Sequence, residues 1–338
     1  MLAKFKKKYI GDWDFYQKYL LLAIPMILQN AITNLVSFLD NIMVGQLGTE
    51  QMSGVAIVNQ LIFVYNLAIF GAVSAASIFG AQYFGKGNHK GHMYSFRFKL
   101  YATLLVTGGA ILLFLTKGSA LISLYLTDTV GNGATDLALQ YGLEYLAIMM
   151  VGLIPFAVNQ SYATNIKETG QTFIPMLASF VAVGTNAILD YLMIFGIGPF
   201  PELGVQGAAL ATVISQAISG VLVVRFLLGK TTVLRLRRKW LWPRAGVMLP
   251  VLGLGLAPFV MQATEALLNI SFNSSLQRYG GDIPVGAMTV ASTVMQMAWI
   301  PTQGIGQGAQ PIISYNYGAG NLSRVKEAFW ALVKVSMI

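Results

Sequence analysis

The chain has 338 residues, 55% of them apolar and only 10% charged, with a mean hydropathy of +0.63 and a formal net charge of +9. Ordinary soluble domains carry about 25% charged residues, so this balance excludes a soluble core and points to a polytopic helical membrane protein. The sequence has no cysteine, which excludes disulfides and thiolate metal sites, and it lacks the alternation that a lipid-facing barrel strand needs.

The N-terminal stretch carries Lys4, Lys6, Lys7 and Lys8, then Trp13, Phe15, Tyr16 and Tyr19. No A-x-A-like cleavage site follows, and the next apolar run is too long for a signal peptide. Residues 1–17 therefore read as a cytoplasmic lead-in with its rings at headgroup level. Nine apolar segments follow, at about 18–44, 52–83, 97–117, 137–159, 173–196, 205–228, 246–277, 285–316 and 324 to the end. Runs such as LLLAIPMILQNAITNLVSF are long enough for a hydrocarbon core, which needs about 20 mostly apolar residues. The turn signals GQLGTEQ, GKGNHKGH, KETGQT, GPFPELG and GGDIP separate the segments.

Residues 83–88 read YFGKGN and residues 316–321 read NYGAGN, 233 positions later. The same ungapped offset pairs Pro25 with Pro258, Gln29 with Gln262, Gly48 with Gly281 and Gly71 with Gly304. This is an internal duplication. The first copy, residues 18–229, is expected to be a lobe of six transmembrane helices, and residues 230–245 a basic cytoplasmic linker. Residues 246–338 are expected to supply about three helices of a second, pseudo-symmetric lobe, so that the sequence reads as a piece of a twelve-helix protein. An even-numbered unit gives both copies one orientation, related by an axis along the membrane normal.

Charge predicts the orientation. Lys86, Lys90, Arg97 and Lys99 are assigned to the loop between segments two and three, Lys167 to the next loop on that side, and Lys230 to Arg244 to the linker. All Lys and Arg except Lys117 and Arg278 fall on or near one side, which the positive-inside rule makes cytoplasmic. The protein is thus expected in the cytoplasmic membrane with its N-terminus inside. Topology accounts for these basic residues, so no nucleic-acid partner is inferred.

Four carboxylates lie inside apolar spans: Asp40, Glu144, Asp190 and Glu265. A charge at the bilayer centre costs about 2.5–3.5 kcal/mol or more, which makes such groups functional candidates. No basic residue is expected at comparable depth, so a proton, a metal cation or a cationic substrate must supply the countercharge. Asp40, Asn186, Asp190 and Thr212 all fall in the outer half of their helices by the rise of about 1.5 Å per residue. Two acids, an amide and a hydroxyl suit a hard oxygen site for a small cation. Alternatively, burial and like-charge proximity favour protonated acids. Both remain open.

Gln29, Thr33, Ser37 and Asp40 form a stripe at helical spacing, and Gln262, Glu265, Asn269 and Asn273 form its counterpart. Either stripe can line a binding path or hydrogen-bond neighbouring helices. The Gly-x-Gly-Asn phrase reads as a helix stop, since no strand precedes it as a phosphate loop would require. His89 and His92 fall in the same basic turn, assigned to solvent, without a third metal ligand. No nucleophile elbow, P-loop or HExxH is present, so no catalytic residues and no cofactor are expected. Some Met and aromatic side chains are expected in a cavity, where they adapt to varied ligands and attract cations.

The stretches FLDNIMVGQLG (38–48), GAQYFGKGN (80–88), KETGQTFIPM (167–176), NAILDYLMIFG (186–196) and GVQGAALAT (204–212) resemble the multidrug and toxic compound extrusion (MATE) family, bacterial NorM/DinF-like branches. The resemblance covers about residues 18–338. It implies an all-α integral membrane bundle with a central cavity, exporting organic cations or amphipathic drugs in exchange for Na⁺ or H⁺. It also implies a coupling site, with Na⁺ as one candidate occupant, at Asp40, Asn186, Asp190 and Thr212, and matches Glu265 to a helix-seven acid. Lys167 stands where the family more often has Arg. The expected partners are small organic substrates and membrane lipids, with the protein monomeric. Alternatives are a lipid-linked precursor flippase of a sister family, a truncated product without transport activity, or a membrane-embedded enzyme.

Overall fold

A computed structural model describes residues 13–126, 132–229, scattered positions from 250 to 275, and 282–337. The described residues are helical and contain no strand. In chain order the helices are α1 (Trp13–Gly45), α2 (Thr49–Gly85), α3 (His89–Ser123), α4 (Asn132–Glu168), α5 (Phe173–Ile194), α6 (Val205–Leu228), α7 (Asp282–Gly318) and α8 (Leu322–Ser336). Each of α1–α6 is long and apolar enough to cross a membrane. The expected linker at 230–245 lies outside the described residues.

Helix α2 holds the bundle together. Val55, Val58, Leu61, Tyr65, Ile69 and Val73 recur every three or four residues and are buried, so they form one face. That face meets Tyr145, Leu146, Met149 and Leu153 of α4 and Phe114 and Ile122 of α3. Within lipid such contacts gain little from hydrophobic burial, so close packing and hydrogen bonds hold the helices together. Tyr65 supplies one such clip, its hydroxyl donating to the Leu153 carbonyl at 3.1 Å while lying 2.9 Å from Thr107 Oγ1. Helix α6 packs on α4 and α5, and α1 lies between α5 and α7. Helix α7 also touches α2 and carries α8.

The duplicated phrase folds into the same turn twice. Asn88 N–H donates to the Tyr83 carbonyl (2.9 Å) and Gly87 N–H to the Phe84 carbonyl (3.0 Å). Asn321 and Gly320 donate likewise to Asn316 (2.9 Å) and Tyr317 (3.1 Å). This Schellman geometry places the penultimate residue in the left-handed region, with φ +68° at Gly87 and +76° at Gly320. Asn88 then starts the next helix, its side chain accepting from Gly91 N–H at 3.0 Å. The phrase is therefore a stop and a start, not a stop alone.

That cap corrects two sequence expectations. Helix α3 begins at His89, before the apolar run, so Arg97 and Lys99 are helical and buried rather than in a loop. His92 is also wholly buried, its Nδ1 2.8 Å from the Gly80 carbonyl, and is not a solvated loop residue. Lys99 pairs with Glu168 at the end of α4, at the basic end of the bundle, and both are almost fully buried. A basic residue does therefore lie within the helices, with its own acid.

Candidate functional site

Asp40 stands five residues before the end of α1, and Asp190 four before the end of α5. Thr212 lies seven residues into α6, which returns from the α5 turn. These positions bring all three to one end of the bundle, opposite the basic turns. The α5–α6 crossing is tight because Gly207 faces the Met193 carbonyl, where a Cβ would come within 2.6 Å of the oxygen. The approach lets Asn186 donate from Nδ2 to Thr212 Oγ1 at 3.4 Å.

A cavity of about 400 Å³ opens between α1, α2, α4, α5 and α6. Asp40, Asn186 and Thr212 line it, with Thr33 and Ser37 of the predicted stripe. Asp190 is not among the lining residues. It is fully buried, close enough to Asp40 for their charges to interact. Tyr145 stands within electrostatic reach of both acids, its hydroxyl donating to Asn59 Oδ1 at 3.3 Å.

Among the described residues the acids lack partners. Both carboxylate oxygens of Asp190 and Oδ1 of Asp40 are buried without a hydrogen bond, and no ion pair among the described residues reaches either. A buried ion costs several kcal/mol unless an opposite charge compensates it. The available donors are carboxylate, amide and hydroxyl oxygens, a set suited to a hard cation rather than a soft transition metal. A proton meets the same need.

Other expected residues sit elsewhere. Gln29 leaves the stripe and donates to Ser179 on α5 at 2.7 Å, a helix–helix bond. Glu144 accepts from Gln140 (3.0 Å) and Gln206 (3.1 Å), which bridges α4 and α6. Glu265 is helical and exposed. Gln262, Asn269 and Asn273 lie outside the described residues.

The cavity also exposes groups not singled out from the sequence: the amides of Asn41, Asn59, Asn66 and Gln216, and Tyr145. Asn59 and Asn66, seven residues apart in an apolar run, carried a readable signal of one polar helix face. Phe63, Met149 and Phe156 provide its apolar wall. The Lys99–Glu168 pair, 69 residues apart, carried no local signal.

The MatE family model matches residues 25–192 and 258–338. The chain is 24% identical over 306 residues to the probable multidrug resistance protein NorM of Thermotoga maritima, covering 90% of this chain and 64% of that protein. It is 25% identical over 336 residues to the multidrug export protein MepA of Staphylococcus haemolyticus, covering 96% of this chain and 69% of that protein. The chain thus spans about two thirds of the length of these curated relatives. Its fold matches a multidrug resistance MATE family transporter solved in an outward-facing conformation, with TM-score 0.84 and 21% identity over 94% of this chain and 68% of that one.

Proposed function

The chain belongs to the MatE family, and on that premise we propose that the complete protein is a secondary active antiporter exporting organic cations in exchange for Na⁺ or H⁺. Members of this family are transporters, not enzymes, and this one is a multi-pass membrane protein. The observation that carries the coupling proposal is the pair of acids, Asp190 fully buried and Asp40 half-buried beside it, whose buried oxygens have no hydrogen-bond partner among the described residues.

An external cation or proton neutralises the pair, with Asn186 and Thr212 offering further oxygens to a metal ion. The cavity lining holds one acid and no basic residue among the described positions, which favours a cationic substrate over an anionic lipid-linked precursor. The basic turns face the cytoplasm in this scheme, so the acids lie toward the outer surface. Coupling then follows from differential affinity: a cation bound more tightly in one conformation shifts the equilibrium toward it. The closing aromatic and Met wall offers apolar surface to drugs of varied shape.

The test is ethidium efflux from cells expressing the complete protein, under separately imposed Na⁺ and pH gradients. Asp40→Asn should abolish gradient-driven efflux at normal expression, and the gradient that drives the parent identifies the ion. Undiminished efflux by the variant rejects the role of Asp40.

A further inference from the structure

Gly85 and Gly318 end α2 and α7, and neither has a positive φ. Their backbone conformation is one any residue adopts, so the turn does not explain why both are glycine. The contact between the helices does. A Cβ on Gly85 would come within 2.0 Å of the Tyr315 carbonyl oxygen, and one on Gly318 within 2.1 Å of the Gln82 carbonyl oxygen. Real Cβ atoms essentially never approach closer than 3.0 Å.

The two contacts are each other's image. Gly85 and Gly318 are 233 residues apart, and so are Gln82 and Tyr315. Each carbonyl already accepts a helical N–H, from Lys86 (3.0 Å) and Ala319 (2.9 Å). The glycine therefore adds only a Cα–H···O contact and the dispersion of two backbones at closest approach. The ring of Phe84 adds to this junction, 5.9 Å from that of Tyr315 and 5.6 Å from that of His92. Farther along α7, Gly304 abuts Ile27 and Gly308 abuts Ala23 on α1, each position leaving 2.6 Å for a Cβ. Close packing therefore joins α7 to α2 at the basic end and to α1 farther along, while the acid-bearing cavity lies toward the other end.

We propose that Gly85 and Gly318 are a duplicated closure device: they let the two copies meet backbone to backbone at the basic end, and a side chain at either position holds that end open. Its use in alternating access rests on the transport function proposed above, but the closure is readable without transport.

The chain has no native cysteine, so thiol pairs report distance directly. In membrane vesicles, Phe84→Cys/Tyr315→Cys should cross-link with a short bis-methanethiosulfonate. Adding Gly85→Val or Gly318→Val should lower the cross-linking rate at least tenfold, and Gly85→Ala by less. Gly108→Val, which has no atom within 4 Å of its Cβ, should leave it unchanged. Asn59→Cys/Tyr145→Cys, across α2 and α4, checks the fold of the same variants. Loss of the first cross-link with retention of the second supports closure by glycine. Retention of both overturns it. Loss of both in Gly85→Ala as well as Gly85→Val also overturns it, because glycine is then required for folding rather than closing. Absent efflux in the parent would reject the transport assignment alone.

Discussion

Lys99→Met should destabilise the fold by about 3–5 kcal/mol, the range for leaving one member of a buried pair uncompensated. The structure supports the upper part of that range. Lys99 is 0% exposed and Glu168 3% exposed, and Glu168 Oε2 has no hydrogen bond even with the lysine present. His92 Nδ1 lies 3.8 Å from Oε2, but it is already 2.8 Å from the Gly80 carbonyl. Arg97 lies about 200° around α3 from Lys99, on another face. Methionine fills much of the lysine stem, so the cavity contribution is small. Three to five kcal/mol is about two to four powers of ten in the unfolding equilibrium. Lys99→Met/Glu168→Leu should recover to within about 1 kcal/mol of the parent or exceed it, since apolar replacement of both members is often neutral or stabilising. Reversible unfolding in mixed detergent micelles measures all three variants in one cycle. A single-variant loss under about 1 kcal/mol, or a double variant equal to the sum of the singles, refutes the assignment of this pair as a mutually compensated buried ion pair.

With Na⁺ as the coupling ion, Na⁺ should stabilise the parent by about 2.7 kcal/mol at a concentration 100 times Kd and Asp190→Asn should remove that gain; thermal unfolding in NaCl against choline chloride reads this, and equal Na⁺ responses in parent and variant count against Asp190 as a ligand. Asn88→Ala should cost about 1 kcal/mol through the lost N-cap. Asn321→Ala should cost less, because the Asn321 side chain accepts from Ser323 Oγ at 2.9 Å and makes no bond to the helix backbone. Unfolding free energies compare the two, and equal losses would contradict the difference in capping.

Residues that are out of place in their local surroundings were legible. Asp40 and Asp190 stood out because a lipid-depth helix has no cheap place for a charge, and the sequence spacing alone put them at one end of the bundle. The repeat was legible for a similar reason, since a Schellman turn followed by a cap constrains glycine and asparagine whatever surrounds them. Helix starts were harder. The apolar run marks where lipid begins, whereas Asn88 starts α3 several residues earlier, and the difference hid Lys99 and His92 inside a supposed loop. Gln29 and Thr33 share a stripe yet divide between a bond to Ser179 and the cavity. Four residues span about 6 Å of rise, enough to pass from one neighbouring helix to an opening between two. Partners 69 residues apart, such as Lys99 and Glu168, are fixed only by how helices pack.

The acid pair and the glycine contact lie at opposite ends, so coupling between them needs an element present at both. Helix α2 qualifies directly, carrying Gly85 and the cavity residues Asn59 and Asn66, and α1 qualifies through its contact with α7. Helix α1 carries Asp40 beside the cavity, and Ala23 and Ile27 against α7. Seventeen residues separate Asp40 from Ala23, about 26 Å of continuous helix, and Pro25 stands at the α7 contact, where a missing N–H makes bending cheapest. The energies are commensurate. Converting a 1:99 mixture of two states into 99:1 takes about 5.5 kcal/mol of differential binding. A buried acid without a counterion costs several kcal/mol, and Asp190 is fully buried while Asp40 is half-buried at the cavity, so on the proposed mechanism a conformation that opens the pair to water differs from the closed one by several kcal/mol. A cation that neutralises them removes most of the difference. On the proposed coupling, the carboxylates would thus be strong enough to decide whether the glycine contact holds, and a surface charge pair, worth about 0–1 kcal/mol, would not be.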